Sequence, residues 1–167
     1  MIRTFEPGDE HALREIHLAS ITRVGPLAYS PAQVAAWAGR TREAWEWLEW
    51  HSFGDRITIA LGDDGMPVAF ALLEADGHLD MLYCHPGHIR QGHALRLVKE
   101  ASAYGRAQGL SMLYTEASEL ARPVFEAGGY EVEHRQDFAL DGVPIHNYAM
   151  CKVLSLAPAP ELTTLVR

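Results

Sequence analysis

The sequence is poor in cysteine, in positive charge and in long apolar runs. Only Cys84 and Cys151 occur among 167 residues, too few for a disulfide framework, so both are expected as reduced thiols. Lys and Arg number 14 against 22 Asp and Glu, a formal net charge of −8. A non-specific nucleic-acid binder shows the opposite balance. The longest unbroken apolar run, Val68 to Leu73, is far too short to cross a bilayer. The opening residues Met1 to Glu6 lack the basic-then-apolar pattern of a secretory leader. The expectation is therefore a cytoplasmic chain with neither nucleic acid nor membrane as partner. What is present is ordinary globular composition, 48% hydrophobic and 22% charged, at a length that suits one domain.

Patterning gives an element order. Ile2 to Phe5 reads as a short strand, broken at Pro7-Gly8, with Asp9 placed to cap a helix. Leu13, Ile16, His17 and Ile21 give that helix one mostly apolar stripe. Ser30-Pro31 starts a second helical stretch that runs to Trp50 with an interruption at Gly39. It holds all four tryptophans, expected mostly to pack onto a sheet. Three strand-like runs follow, Arg56 to Leu61, Pro67 to Leu73 and His78 to His85, joined by the tight turns Gly62–Gly65 and Asp76-Gly77. Gly92 to Gln108 reads as a long helix with Leu95, Val98, Ala101 and Gly105 facing inward. Leu110 to Thr115 reads as a buried strand and Glu119 to Ala127 as a short helix. Tyr130 to Leu140 and Val143 to Val153 are strands around the hairpin turn Asp141-Gly142. Residues 1–154 thus form one α/β domain, a mixed sheet with helices packed on it. Residues 155–167, with Pro158 and Pro160, read as a flexible tail.

The charge is uneven. Asp55 to Asp80 carries six acids and one base, whereas Met81 to Ala117 carries four bases and two acids. A locally positive stretch suits a phosphorylated ligand. Within it, His85-Pro86-Gly87-His88-Ile89-Arg90-Gln91-Gly92-His93-Ala94-Leu95 runs from strand to helix. Small residues at Gly92 and Ala94 admit close approach of a ligand to backbone. A helix N-terminus offers free N–H groups and a positive dipole end to a pyrophosphate. A nucleotide-hydrolysing P-loop is excluded, because His93-Ala94 stands where Lys and Ser or Thr are needed. The dinucleotide fingerprint G-x-G-x-x-G is absent too. His85, His88 and His93 cluster with Cys84, but no C-x-x-C pair or H-E-x-x-H accompanies them, and no metal is expected.

At this point the chain resembles the GNAT-type N-acetyltransferases. The resemblance rests on Leu79-Asp80-Met81-Leu82-Tyr83-Cys84-His85-Pro86 leading into Gln91-Gly92-His93-Ala94, on Thr115-Glu116-Ala117-Ser118, on Ala121 to Tyr130, and on Asn147 to Lys152. It covers about Met1 to Leu154. It implies a mostly antiparallel sheet flanked by helices, with central strands splayed between Leu82 and Tyr114. Acetyl-CoA would lie in that gap as co-substrate. Its pantetheine arm would pair with backbone at Leu82, Tyr83 and Cys84, as an added strand does. Its pyrophosphate would sit on the amides of Arg90, Gln91, Gly92, His93, Ala94 and Leu95. Ser118 stands where the family often has an Asn that contacts the arm. Ile89 replaces the usual Gln or Arg. Phe125 replaces the Tyr that in many members protonates the leaving thiolate.

Direct transfer needs a neutral amine. A free alkyl amine has a pKa near ~10.4, so a base must take its proton. Asp80 and Glu116, on strands bordering the gap, are the base candidates. Backbone N–H near Leu82 to Cys84 would serve the developing oxyanion. A thiolate leaving group has a pKa near ~8.5, so Ser118, a tyrosine such as Tyr148, or water suffices as proton donor. His78 is expected to cap a turn and Cys84 to be a strand thiol rather than a nucleophile. The acceptor is a small-molecule or peptide amine, with Tyr29 and Trp37 as candidate contacts. The runner-up is a non-catalytic module that binds or senses acyl-CoA, and a homodimer through the apolar tail is an open possibility.

Overall fold

The computed structural model describes residues 1–154, so the expectation of a flexible tail falls outside the described residues. Strands β1 (Ile2–Thr4), β2 (Arg56–Leu61), β3 (Pro67–Leu73) and β4 (Leu79–Cys84) form an antiparallel sheet in that spatial order. Strands β5 (Met112–Ala117), β6 (Glu131–Leu140) and β7 (Val143–Val153) form a second sheet in the order β5-β7-β6. Helices α1 (Glu10–Arg23), α2 (Pro31–Ala38), α3 (Ala44–Phe53), α4 (His93–Ala107) and α5 (Arg122–Ala127) cover them.

The first sheet is buried on both faces, which is why β2 and β3 read as near-continuous apolar runs rather than alternating ones. One face meets α1 and α3 through Leu13, Ile16, Trp47, Ile59 and Phe70. The other presents Ala60, Ala69 and Ala71 to Leu97 of α4. Trp47 and Phe70 are wholly buried and stack edge to face at 4.8 Å, so truncating Phe70 to Ala would cost ~3–5 kcal/mol. A third cluster, including Leu79, Val98, Leu113, Phe125 and Met150, packs α4 and α5 on the second sheet.

Local chemistry sets the boundaries. Ser30 accepts from the Gln33 amide, completing a capping box at α2, and the helix stops at Gly39 as expected. In the hairpin joining β6 to β7, Asp141 (φ 50°) and Gly142 (φ 81°) both take the positive φ of a type I′ turn.

Several expectations need correction. Asp9 does not cap α1 with its side chain; its carboxylate takes both Arg3 guanidinium nitrogens at 2.6 and 2.7 Å and the Glu6 amide at 2.9 Å. β5 starts at Met112 and alternates, with Leu113, Thr115 and Ala117 buried while Met112 and Glu116 are exposed. The helix expected from Glu119 begins at Arg122, with Pro123 in its first turn. In α4, Leu97 rather than Leu95 fills the core, and Leu95 turns to a cleft. Trp45 is exposed rather than packed on the sheet.

Candidate active site

β4 and β5 touch only where they begin. His78 and Tyr114 form a single parallel bridge, the Tyr114 amide donates to the Gly77 carbonyl at 3.1 Å, and Thr115 Oγ1 donates to the Leu79 carbonyl at 2.8 Å. Beyond this point the two strands belong to separate sheets. The cause lies in the register. Leu73 pairs with Leu79 and Leu72 with Met81, so Asp80 is an extra residue on β4. Such a bulge bends a strand and switches the side that later peptide groups face. The switch is visible. The His78 carbonyl accepts from Glu74, and the His85 amide, an odd number of residues later, also donates toward β3, to Val68. By alternation, the peptide groups of Leu82 and Cys84 face the gap and those of Met81 and Tyr83 face β3. The expectation of a backbone edge at Leu82 to Cys84 is thereby narrowed, with Tyr83 turned away. The gap opens into a cleft of about 460 Å³.

At one end of the cleft stands the turn into α4. Arg90 (φ 62°) and Gly92 (φ 82°) are both left-handed. A Cβ on Gly92 would meet nothing within 4 Å, so the glycine serves the φ angle rather than tight packing. The first helical bond is Arg96 N–H to the Gly92 carbonyl at 3.1 Å. The amides of Arg90, Gln91, Gly92, His93, Ala94 and Leu95 have no acceptor among the described residues. These free donors at a helix N-terminus fit a diphosphate. The His93 side chain is itself turned inward, with Nδ1 accepting from Arg96 at 2.8 Å. Burial and then the Arg96 charge lower its pKa, so this position offers its amide rather than a cationic ring.

The two candidate bases differ sharply. Asp80 opens into the cleft with no hydrogen-bond partner among the described residues. The surrounding walls strip part of its hydration, and this raises its pKa above the ordinary carboxylate value; Glu116 adds to the rise, while His78 and Arg42 oppose it. Glu116 is engaged: His78 Nε2 lies 2.6 Å from its carboxylate. His78 Nδ1 lies 3.2 Å from Glu74, and the ring stacks on Tyr114 with centroids 4.8 Å apart. Burial disfavours the His78 cation, but the Glu116 and Glu74 carboxylates outweigh it and its pKa is raised. His78 does take part in its turn through its amide, bonded to Asp76 at 3.0 Å, yet its ring ties β4 to β5, a role the sequence reading missed.

Ser118 lines the cleft, its oxygen accepting from the Ala121 amide at 3.1 Å and its hydroxyl lying beside that of Tyr29. Phe125 also lines it but is buried edge-on against Tyr130, supplying no hydroxyl. Burial pushes the Cys84 thiol up to about 11, which leaves it a poor nucleophile. Tyr148 is not available to the cleft, because its hydroxyl donates to Glu119 at 2.8 Å. The same carboxylate holds His146 Nε2 at 2.9 Å, and the Glu119 amide donates to the Tyr29 hydroxyl at 2.8 Å. Neither Glu119 nor His146 had been singled out; nothing local in the sequence links residues 27 apart. Tyr29 and Trp37 both line the cleft, as expected of acceptor contacts.

Comparison with known proteins identifies the family. Residues 27–152 match the family model described as acetyltransferase (GNAT) domain. The chain is 29% identical over 149 residues to the uncharacterized N-acetyltransferase YafP of Escherichia coli K12, covering 89% of this chain and 93% of that protein. A GCN5-related N-acetyltransferase crystal structure from Rhodopseudomonas palustris superposes with a TM-score of 0.82 at 29% identity, over 92% of this chain and 95% of that one. yncA of Salmonella typhimurium, a putative acetyltransferase solved with acetyl-CoA, shares the fold at a TM-score of 0.74 and 18% identity, over 97% and 98% of the two chains. With a family model spanning most of its length, the chain belongs to the GNAT acetyltransferase family.

Proposed function

We propose that this protein moves an acetyl group from acetyl-CoA to a primary amine by direct attack, with Asp80 as the base. The observation that carries the reading is the bulge. One extra residue on β4 both opens the strand fork and sets an unpartnered carboxylate at its throat. Acetyl-CoA, when bound, supplies a thioester whose acyl carbon the amine attacks, the C–N bond forming as the C–S bond breaks. The free amides from Arg90 to Leu95 hold the diphosphate, and the free edge at Leu82 and Cys84 takes the extended arm as a strand would. Asp80, its pKa raised, accepts the ammonium proton directly or through one water. The peptide N–H groups facing the gap from β4 steady the developing oxyanion. The departing sulfur takes up, through water, the second proton that the nitrogen sheds as the intermediate collapses, and the Ser118 hydroxyl donates a hydrogen bond to it. With a thiol-like leaving group near ~8.5 this donor need not be strong, so Phe125 does not stop the reaction.

The test has two parts. Titration calorimetry should show the purified chain binding acetyl-CoA, and free thiol should appear when an amine is added. Absence of heat with acetyl-CoA would overturn the reading; heat without thiol release from any amine would favour a non-catalytic acyl-CoA binder.

A further inference from the structure

Past Asp80, away from the α4 turn, the same cleft has an aromatic end. Its walls are Tyr29, Trp37, Tyr83, Phe138, Leu140 and Ile145. Tyr29 stands edge-on to Trp37 with centroids 5.5 Å apart, and Trp37 is tilted against Tyr83 at 6.3 Å. Two contacts join α2 to the β6–β7 hairpin beside it. Gln33 Nε2 donates to the Pro144 carbonyl at 2.8 Å, and Arg40 meets Asp141 at 2.6 Å.

The uncommitted charges here have one sign: His78, within 4.8 Å of the Asp80 carboxylate, is tied through both ring nitrogens to Glu116 and Glu74. Among the described residues lining the cleft, Arg90 is the only Lys or Arg, and it belongs to the α4 turn. Asp80 and Glu116 supply negative charge at the throat. Arg42 acts on Asp80 from outside the lining, with its guanidinium held by Glu46 at 3.4 Å and lying 5.4 Å over the Trp50 ring. The one imidazole on this wall, His146, is committed through Nε2 to Glu119.

We infer that the acceptor is a primary amine carried on an apolar body of aromatic size with no anionic group, an aralkylamine rather than a free amino acid. The inference rests on the acetyl-transfer reading and names its substrate class. The ammonium group meets Asp80, and the ring fills the aromatic end of the cleft. A carboxylate on the carbon bearing the amine would sit beside Asp80 with no cation to receive it, and that unpaired like charge rejects amino acids.

The test compares 2-phenylethylamine, phenylalanine and phenylalanine amide, with ethylamine as the size control, by thiol release from acetyl-CoA. The expected result is kcat/KM at least about tenfold higher for 2-phenylethylamine and the amide than for phenylalanine, with ethylamine also poor. In Phe138→Arg, a cation placed in the wall should shift the ratio toward phenylalanine. Phenylalanine used as well as its amide would overturn the inference while leaving acetyl transfer intact. Should no amine release thiol, the transfer reading fails by itself. Calorimetric titration of the same amines into coenzyme-saturated protein still decides, because phenylalanine bound as tightly as 2-phenylethylamine overturns the inference there too.

Discussion

Asp80, open to solvent on the cleft wall, and His17, buried, both lose hydration to the protein around them, with opposite consequences. For Asp80 the loss favours the protonated acid, so kcat/KM should fall on acidification at a pH above the ordinary carboxylate value. Replacing it, Asp80→Asn, should lower kcat/KM by about a hundredfold or more. Glu116→Gln should cost less, because Glu116 already serves His78. The reverse order in steady-state rates would assign the base to Glu116. His17 lies buried among Trp47, Phe70 and Tyr83. Burial, helped by the Arg42 charge, lowers its pKa to about 4 from 6.5. The folded state therefore holds it neutral, and the unfolded chain takes up the proton first. The stability it confers is complete above pH 6.5 and drains away between there and about pH 4. The loss amounts to about 3 kcal/mol at ~1.4 kcal/mol per pH unit. Denaturant melts across that window should show the decline in the native chain and a flatter profile in His17→Leu.

At the scale of elements, the closed end of the strand fork depends on Gly77. Its φ is +100°, and a Cβ there would lie 2.7 Å from the Met112 carbonyl oxygen. Gly77→Ala should therefore destabilise the protein by about 1–3 kcal/mol, read as a lower Tm, and loosen coenzyme binding with it. An unchanged Tm would show that the start of β5 is free to shift. This element boundary illustrates what the sequence made legible. The β2–β3–β4 meander followed from apolar runs between Asp-Gly-type turns, and the β6–β7 hairpin from Asp141-Gly142. The stripe on α1 was right at all four positions, because helical period and core face coincide there. The fork was expected only through family resemblance. The bulge behind it was hidden, since Leu79-Asp80-Met81 alternates like any regular strand. The His78–Glu116 and Glu119–His146 pairs were equally hidden, because only the folded sheet brings together side chains so far apart in the chain.

At the scale of the whole molecule, two sheets meet at one bridge, reinforced by Thr115–Leu79 and His78–Glu116, and are packed together through α4 and α5. No helix among the described residues is long and apolar enough to cross a membrane. The acidic net charge of −8 coexists with a locally basic stretch around the α4 turn, so the proposed anionic coenzyme and cationic amine would be drawn to opposite ends of one cleft. The extra residue at Asp80 ties this architecture to its chemistry more closely than either alone would require. Excising that one amino acid would restore an unbroken register between β3 and β4. On the proposed mechanism the same excision would also remove the proton acceptor, so one position carries both the bend of the strand and the base.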